Sequence, residues 1–246
     1  MPALLLHGVP DTDQLWGPVL EHLKREDVLA PRMPGFGAAL PPGFSATKED
    51  YLDWLAREVE QLGEPADLVG HDWGAILVQR LVALRPELVR SWVAGAGTVS
   101  PSGKWHDMAK MWQTPGEGEA AMEAWASMTP EQIAELLAAV GVPEEHALAS
   151  ARMIDPVMGD AILKLYRSAV NLFQEWSSGL ESSTVPGMLV TGAGDPFIKA
   201  DLAGKEAERL GVRLVVVEEG GHWFPLERPG EYADTLEDFW STASSA

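Results

Sequence analysis

The stretch Val69-Gly70-His71-Asp72-Trp73-Gly74 constrains this chain more than any other. A short apolar run, Ala66–Val69, leads into it and reads as a strand. A longer one, Ala75–Leu84, leads out of it and reads as a helix. A strand that turns at once into a helix leaves no room for bulk two residues before or after its centre, and Gly70 and Gly74 occupy those two positions. Such a turn lifts the central side chain clear of the sheet. This is the pattern of a nucleophile elbow, and the residue at its centre is Asp72.

Around the elbow the chain alternates. Ala3–Leu6 reads as a buried parallel strand that ends at His7-Gly8. Asp11, Thr12 and Asp13 follow in a loop suited to cap a helix over Gln14–Lys24. Asp27–Ala30 is the next expected strand. Thr47–Leu62 is an amphipathic helix with Thr47 as N-cap, Asp50 as its capping-box acid and Gly63 as its stop. Arg85-Pro86 ends the elbow helix, because the residue before proline is driven out of the α region. Val89–Ala94 then reads as a fourth strand. Strands alternating with helices predict an α/β fold, with a mainly parallel sheet covered on both faces.

From about residue 99 to residue 184 the strand-like runs vanish. Helical stretches are expected over Trp105–Trp112, Gly118–Ser127, Pro130–Val140, Glu144–Met153 and Pro156–Trp176. This segment carries Trp105, Trp112, Trp125 and Trp176 and most of the methionines, as a helical cap over an active site would. The sheet resumes with Pro186–Thr191, a helix over Ala203–Leu210, the strand Arg213–Glu218 and a closing helix over Gly230–Trp240. The expected organisation is a core in two parts, 1–98 and 185–246, with the cap at 99–184. The tail Ser241–Ala246 is expected to fray.

Composition excludes several classes of function. With 37 acidic against 18 basic residues, a net charge of −19 repels nucleic acid and anionic membranes. The chain has no cysteine, so disulfides, thiolate chemistry and Cys-based metal sites are excluded. The six histidines are scattered without metal-ligand spacing, so neither a metal nor an organic cofactor is expected. No apolar stretch reaches the length of a membrane span, and the N-terminus lacks a basic region and cleavage site, so a cytoplasmic location is expected.

Two further groups fall at C-terminal ends of strands, where ligands bind in open α/β sheets. They are Asp195 in Gly194-Asp195-Pro196 and His222 in Gly221-His222-Trp223-Phe224. The chain order is candidate nucleophile, acid, histidine, which is the order of α/β-hydrolases. Together with His7-Gly8-Val9-Pro10, these motifs resemble the aspartate-nucleophile branch of that superfamily, the epoxide hydrolases and haloalkane dehalogenases. The resemblance spans the whole chain, the cap most loosely. It implies an α/β-hydrolase fold of about six strands, since most relatives carry two strands before the one that bears His7-Gly8. The exposed edge is then expected to meet a second copy of the chain, giving a homodimer.

The resemblance also implies roles. Asp72 attacks a carbon bearing a leaving group and forms an alkyl-enzyme ester. His222 is general base for the water that cleaves the ester, and Asp195 orients the imidazole. The backbone N–H groups of Val9 and Trp73 form the oxyanion hole. Attack of a carboxylate on an ordinary ester would give an anhydride, so an esterase or peptidase is disfavoured. Trp73, Trp105, Trp112, Trp125, Trp176 and Trp223 are the candidate substrate-binding side chains. Tyr166 in Leu165-Tyr166-Arg167 is the candidate acid for an epoxide oxygen. Val stands at position 9, where many dehalogenases carry a halide-binding asparagine. Epoxide hydrolysis on an apolar or aromatic substrate is therefore favoured. The alternatives are a haloalkane or haloacid dehalogenase, and a non-hydrolytic small-molecule binding protein on the same fold.

Overall fold

The computed structural model describes residues 2–243. Six strands form one parallel sheet: β1 (Ala3–Leu6), β2 (Val28–Leu29), β3 (Ala66–His71), β4 (Val89–Gly95), β5 (Gly187–Gly192) and β6 (Arg213–Val217), in the order β2-β1-β3-β4-β5-β6. β1 and β3 are buried along their whole length, as strands covered on both faces must be. The period of two divides β1 between two cores. Leu4 and Leu6 pack with helices α2 (Lys48–Gln61) and α3 (Trp73–Leu84), while Ala3 and Leu5 pack with Trp16 and the last helix, α12 (Pro229–Ala243).

The α2 cap forms as the sequence predicts. The Thr47 hydroxyl accepts from Asp50 N–H at 3.2 Å, and the Asp50 carboxylate accepts from Thr47 N–H at 3.3 Å. Other elements depart from expectation for local reasons. The helix expected over Gln14–Lys24 is a 3-10 turn at Asp13–Trp16 followed by one short turn, α1 (Gly17–Leu20). Pro18 lacks the N–H that would carry one helix into the other. The strand expected over Asp27–Ala30 pairs with β1 only at Val28 and Leu29. The closing helix continues through Ala243, so Ser241–Ala243 are helical, and the rest of the tail lies outside the described residues.

Six α-helices and a 3-10 turn (Leu180–Ser182) occupy the chain between β4 and β5; the α-helices are α4 (Asp107–Gln113), α5 (Glu117–Ala126), α6 (Pro130–Val140), α7 (Glu144–Ala151), α8 (Pro156–Ser168) and α9 (Leu172–Trp176). The single helix expected over Pro156–Trp176 is broken between Ser168 and Leu172. The break is useful to the core. Ser168 turns its hydroxyl to Lys48 N–H at 2.8 Å, its carbonyl accepts from Lys48 Nζ at 2.9 Å, and Glu175 pairs with the same Nζ. A buried lysine thus ties α8 and α9 to the start of α2. Within the insertion, Arg167 grips Glu119 with two bonds of 2.7 Å and joins α8 to α5. After β5 come α10 (Ala200–Leu210) and, beyond β6, the short α11 (Phe224–Glu227).

Candidate active site

The elbow is tight in a measurable way. A Cβ on Gly74 would lie 2.1 Å from the Leu6 carbonyl oxygen, and one on Gly70 would lie 2.3 Å from the Gly74 backbone. Asp72 itself sits at φ 52, ψ −117, in the left-handed half of the map that a non-glycine residue rarely adopts. The strain aims the carboxylate up and out at the N-terminus of α3. Its Oδ1 accepts from Val9 N–H at 2.8 Å, and the Trp73 N–H lies close enough to pull the carboxylate's pKa down. These are the two donors that the oxyanion-hole reading names.

His222 faces Asp72 from the loop after β6. Its Nδ1–H donates to Asp195 Oδ2 at 2.9 Å, and its Nε2 lies 3.8 Å from Asp72 Oδ2. Asp195 is held in turn: its Oδ1 accepts from the N–H groups of Phe197 at 2.7 Å and Ile198 at 3.0 Å. The two histidines before the elbow and after β1 support loops. His71 Nε2 donates to the His222 carbonyl at 2.8 Å. His7 Nδ1–H donates to the Gly8 carbonyl, and its Nε2 accepts from Met33 N–H at 3.0 Å. Burial pulls both below the usual imidazole range, His71 to about 3 and His7 to about 4, so both stay neutral at working pH.

The charges of the site depend on one another. Burial lowers the His222 pKa, but the Asp195 hydrogen bond and the charges of Asp195, Asp72 and Asp11 outweigh it and raise the pKa above 6.5. Burial raises Asp195, yet His222 and the loop amides bring it below the usual carboxylate value. Asp72 is raised by burial, against the opposing pull of His222, Val9 N–H and Trp73 N–H.

A cavity of about 250 Å³ with a mainly apolar wall opens above Asp72. Val9, His222 and Trp223 line its lower side; Met108, Met111, Trp112, Trp125, Leu137 and Tyr166 line its upper side from α4, α5, α6 and α8. Tyr166 is buried at the centre of an aromatic group, 5.4 Å from Trp73, 5.3 Å from Trp105 and 4.9 Å from Trp112 between ring centroids. Burial, and then the charge of Asp72, push its phenol well above the ordinary tyrosine value, so it keeps its proton. The Trp73 indole N–H reaches no acceptor at hydrogen-bond geometry, although it lies close enough to oppose that rise slightly.

The candidate tryptophans separate into groups. Trp112, Trp125 and Trp223 line the cavity. Trp73 is fully buried beneath Tyr166 and does not line it. Trp105 stacks on Trp73, donates its N–H to the Ala169 carbonyl at 2.9 Å and lines a smaller space of about 40 Å³ on the far side of Asp72. Trp176 is not brought to the site: α9 turns it between the cations of Lys48 and Arg80, 5.7 and 5.6 Å from its ring.

Three residues outside the expected set belong to the site. Asp11 is buried, accepts the Trp223 indole N–H at 3.1 Å, and is raised to about 7 by burial and by the charge of Asp72. Its signal was an acid two residues beyond Val9 in the loop after β1, where it reads as a helix cap instead. His106 caps α4, accepting from Ala109 N–H at 3.2 Å, and burial lowers it to about 4. Phe197 packs edge-on against the His222 ring at 4.9 Å, two residues after Asp195. Among the described residues no group of histidine and carboxylate side chains could hold a metal ion, and no helix is long and apolar enough to cross a membrane.

Known proteins resemble this chain in sequence and in fold. The sequence model of the Alpha/beta hydrolase family matches residues 3–235. A haloalkane dehalogenase of Bradyrhizobium diazoefficiens is 26% identical over 95% of this chain and 84% of its own length. Epoxide hydrolase A of Mycobacterium tuberculosis is 24% identical over 96% and 89%. In three dimensions, the crystal structure of haloalkane dehalogenase DbeA from Bradyrhizobium elkani superposes with a TM-score of 0.77 at 23% identity, over 99% of this chain and 91% of that one. A thermophilic esterase from Thermogutta terrifontis shares the fold equally well, with a TM-score of 0.79 at 20% identity, so fold alone does not name the reaction. The six-stranded parallel sheet, the elbow and the family match agree: the chain is an enzyme of the alpha/beta hydrolase family, in the branch of the haloalkane dehalogenases and epoxide hydrolases.

Proposed function

We propose that this enzyme hydrolyses an epoxide to a vicinal diol through an ester on Asp72. One relationship supports the reading above all. Asp72 has one oxygen engaged by the Val9 N–H at 2.8 Å and the other 3.8 Å from a histidine that Asp195 holds in place. In this reading Asp72 Oδ2 attacks an epoxide carbon. The carbon–oxygen bond breaks and the leaving oxygen takes the Tyr166 proton. His222 Nε2 then removes a proton from water, and the hydroxide adds to the Asp72 carboxyl carbon. The negative charge gathers on Oδ1, against the N–H groups of Val9 and Trp73. Collapse expels the diol oxygen, which takes the proton from His222. The new Asp72 carboxyl then gives its proton back to the Tyr166 oxygen, and the enzyme is restored. Helices α4–α9, residues 99–184 in our reading, act as the cap over this chemistry.

Tyr166 favours an epoxide over a halide, because an alkoxide needs a proton and a halide does not. Val9 adds to this, having no side-chain donor to offer a halide. Dehalogenation is the second reading, and a specific observation favours it: the buried indole N–H groups of Trp73 and Trp112 have no hydrogen-bond partner among the described residues. Of the two, Trp112 lines the Asp72 cavity, where its N–H would suit a halide. A panel of epoxides and haloalkanes, read for diol and for halide with wild type and Asp72→Asn, tests both. Diol from epoxides, lost in Asp72→Asn, is the expected result. Halide release without diol selects the second reading, and full activity in Asp72→Asn overturns both.

A further inference from the structure

A second cavity, about 490 Å³, lies between α5, α6 and α8. Its apolar wall is Met122, Ala126, Met128, Ile133 and Leu163, and exposed charged side chains such as Glu123 and Arg152 stand at its mouth. Nothing in the chemistry above uses it, yet it is built on the same helices as the Asp72 cavity. Trp125 lines both. On α6, Ile133 lines the outer space and Leu137 the inner one; on α8, Leu163 lines the outer and Tyr166 the inner. Residues three or four apart share one helix face about one turn, ~5.4 Å, from each other. The partition between the cavities is therefore about one helical turn thick. A line of rings crosses it: Tyr166 to Trp112 at 4.9 Å, then Trp112 to Trp125 at 6.1 Å.

Volume gives the partition a meaning. At about 30 Å³ for a water-sized group, the inner cavity of about 250 Å³ holds on the order of eight such groups. It is smaller than the ~300–1,000 Å³ usual for ligand pockets, and the outer cavity brings the combined space within that range. On the other side of Asp72 the cavity of about 40 Å³ has room for roughly one group. The space around the reacting carboxylate is thus lopsided: closed on one side, extended on the other.

We infer that the substrate is a terminal epoxide on an apolar chain longer than the inner cavity. The epoxide sits at Asp72, and the chain passes Trp125 into the space between α5, α6 and α8. This rests on the reading of Asp72 as the group that attacks carbon.

The test uses 1,2-alkanediols of increasing length, the products of such a reaction, as binding probes measured by calorimetry. Affinity is expected to rise about fourfold per buried methylene, past the roughly eight carbons that fill the inner cavity. In Ala126→Phe, which puts a ring into the outer cavity, the rise is expected to weaken beyond that length. Should Ala126→Phe not fold, Met128→Trp narrows the same space. A wild-type plateau at the inner-cavity length, a series unchanged by both variants, or no diol binding at any length overturns the inference. Turnover of the matching 1,2-epoxyalkanes separates it from the reaction itself. Length-dependent diol binding with no epoxide consumed leaves the cavity assignment standing and removes the epoxide reading. Epoxide turnover with a plateau does the reverse.

Discussion

His222 Nε2 stands 3.8 Å from Asp72 Oδ2, while its Nδ1 is 2.9 Å from Asp195. The first distance is too long for a hydrogen bond and the second is a good one. A serine nucleophile would need the histidine in contact, because its proton must leave as it attacks. A carboxylate has no proton to lose, so its oxygen can stay free for carbon. In the proposed reaction, the gap then leaves the imidazole facing the carboxyl group that water must reach in the second step.

The state of His222 gives a pH dependence. As the base of the proposed reaction His222 must be neutral, and its pKa is raised above 6.5 despite burial, chiefly by Asp195. The rate of ester hydrolysis should therefore fall as pH drops through a value above 6.5. Asp195→Asn removes the charge that raises it, so the acid limb of the kcat profile should move to lower pH. The plateau should fall on the order of 10⁴-fold, as when a histidine loses its orienting acid. A lower plateau with an unmoved acid limb would mean that Asp195 does not set the His222 pKa.

Asp11 predicts a pH dependence of stability with a definite sign. Its folded pKa is about 7 against 3.8, raised by burial and by Asp72. A raised pKa means that the folded state holds the proton more tightly. The stabilisation is complete below the unfolded value and is lost as pH rises through the folded one. Asn resembles the neutral carboxyl and can still accept the Trp223 indole bond. Asp11→Asn should match wild type in acid and exceed it above neutrality by a few kcal/mol, at about 1.4 kcal/mol per pKa unit. Urea unfolding at the two pH extremes measures it, and a pH-independent difference would contradict the buried, proton-holding Asp11.

The elbow glycines and an ordinary helix glycine should respond oppositely to alanine. Gly74→Ala drives a Cβ to 2.1 Å from the Leu6 carbonyl oxygen, which belongs to β1 and cannot yield cheaply. A loss of about 3 kcal/mol or more is expected. Gly204 lies inside α10, where the nearest atom to a new Cβ is Leu214 Cδ2 at 3.9 Å. Gly204→Ala should gain roughly 0.5–1 kcal/mol. Thermal unfolding of the pair checks both signs.

These contrasts show what the sequence could carry. The sheet was legible because Ala3–Leu6 is a continuous apolar run and Ala66–Val69 and Val89–Ala94 are mainly apolar ones, each closed by glycine or histidine, and the elbow was legible because Gly70 and Gly74 permit little else. Asp72, Asp195 and His222 were legible because each follows a strand, and parallel strands bring their C-terminal ends together. The insertion was legible only as helices. Whether an indole faces Asp72 or a lysine depends on how α4–α9 cross, which no local pattern states: Trp112 and Trp176 are both buried, yet only Trp112 lines the cavity. The break after Ser168 was hidden because Ala169-Val170-Asn171 contains no proline or glycine, and the bond from Lys48 to Ser168 is long-range. Asp11 was hidden by its double meaning, since an acid before a helix is also a cap.

Tyr166 separates the two leaving groups. If it protonates an epoxide oxygen, Tyr166→Phe should lower kcat for epoxides by about 10²–10⁴-fold, the usual share of a general acid. Any halide release from haloalkanes should change far less, because a halide leaves without a proton. Equal losses on both substrate types would make Tyr166 a packing residue of the aromatic group around Trp73 and Trp112.

A single turnover in ¹⁸O-water examines the covalent step itself. With enzyme in excess over epoxide, water attacks the Asp72 carboxyl carbon and leaves its oxygen on the enzyme, while the diol carries away an oxygen that was Asp72's. The expected result is one ¹⁸O in the peptide containing Asp72 and an unlabelled diol. Label in the diol with none on Asp72 would mean direct attack of water on the substrate, and would contradict an ester on Asp72.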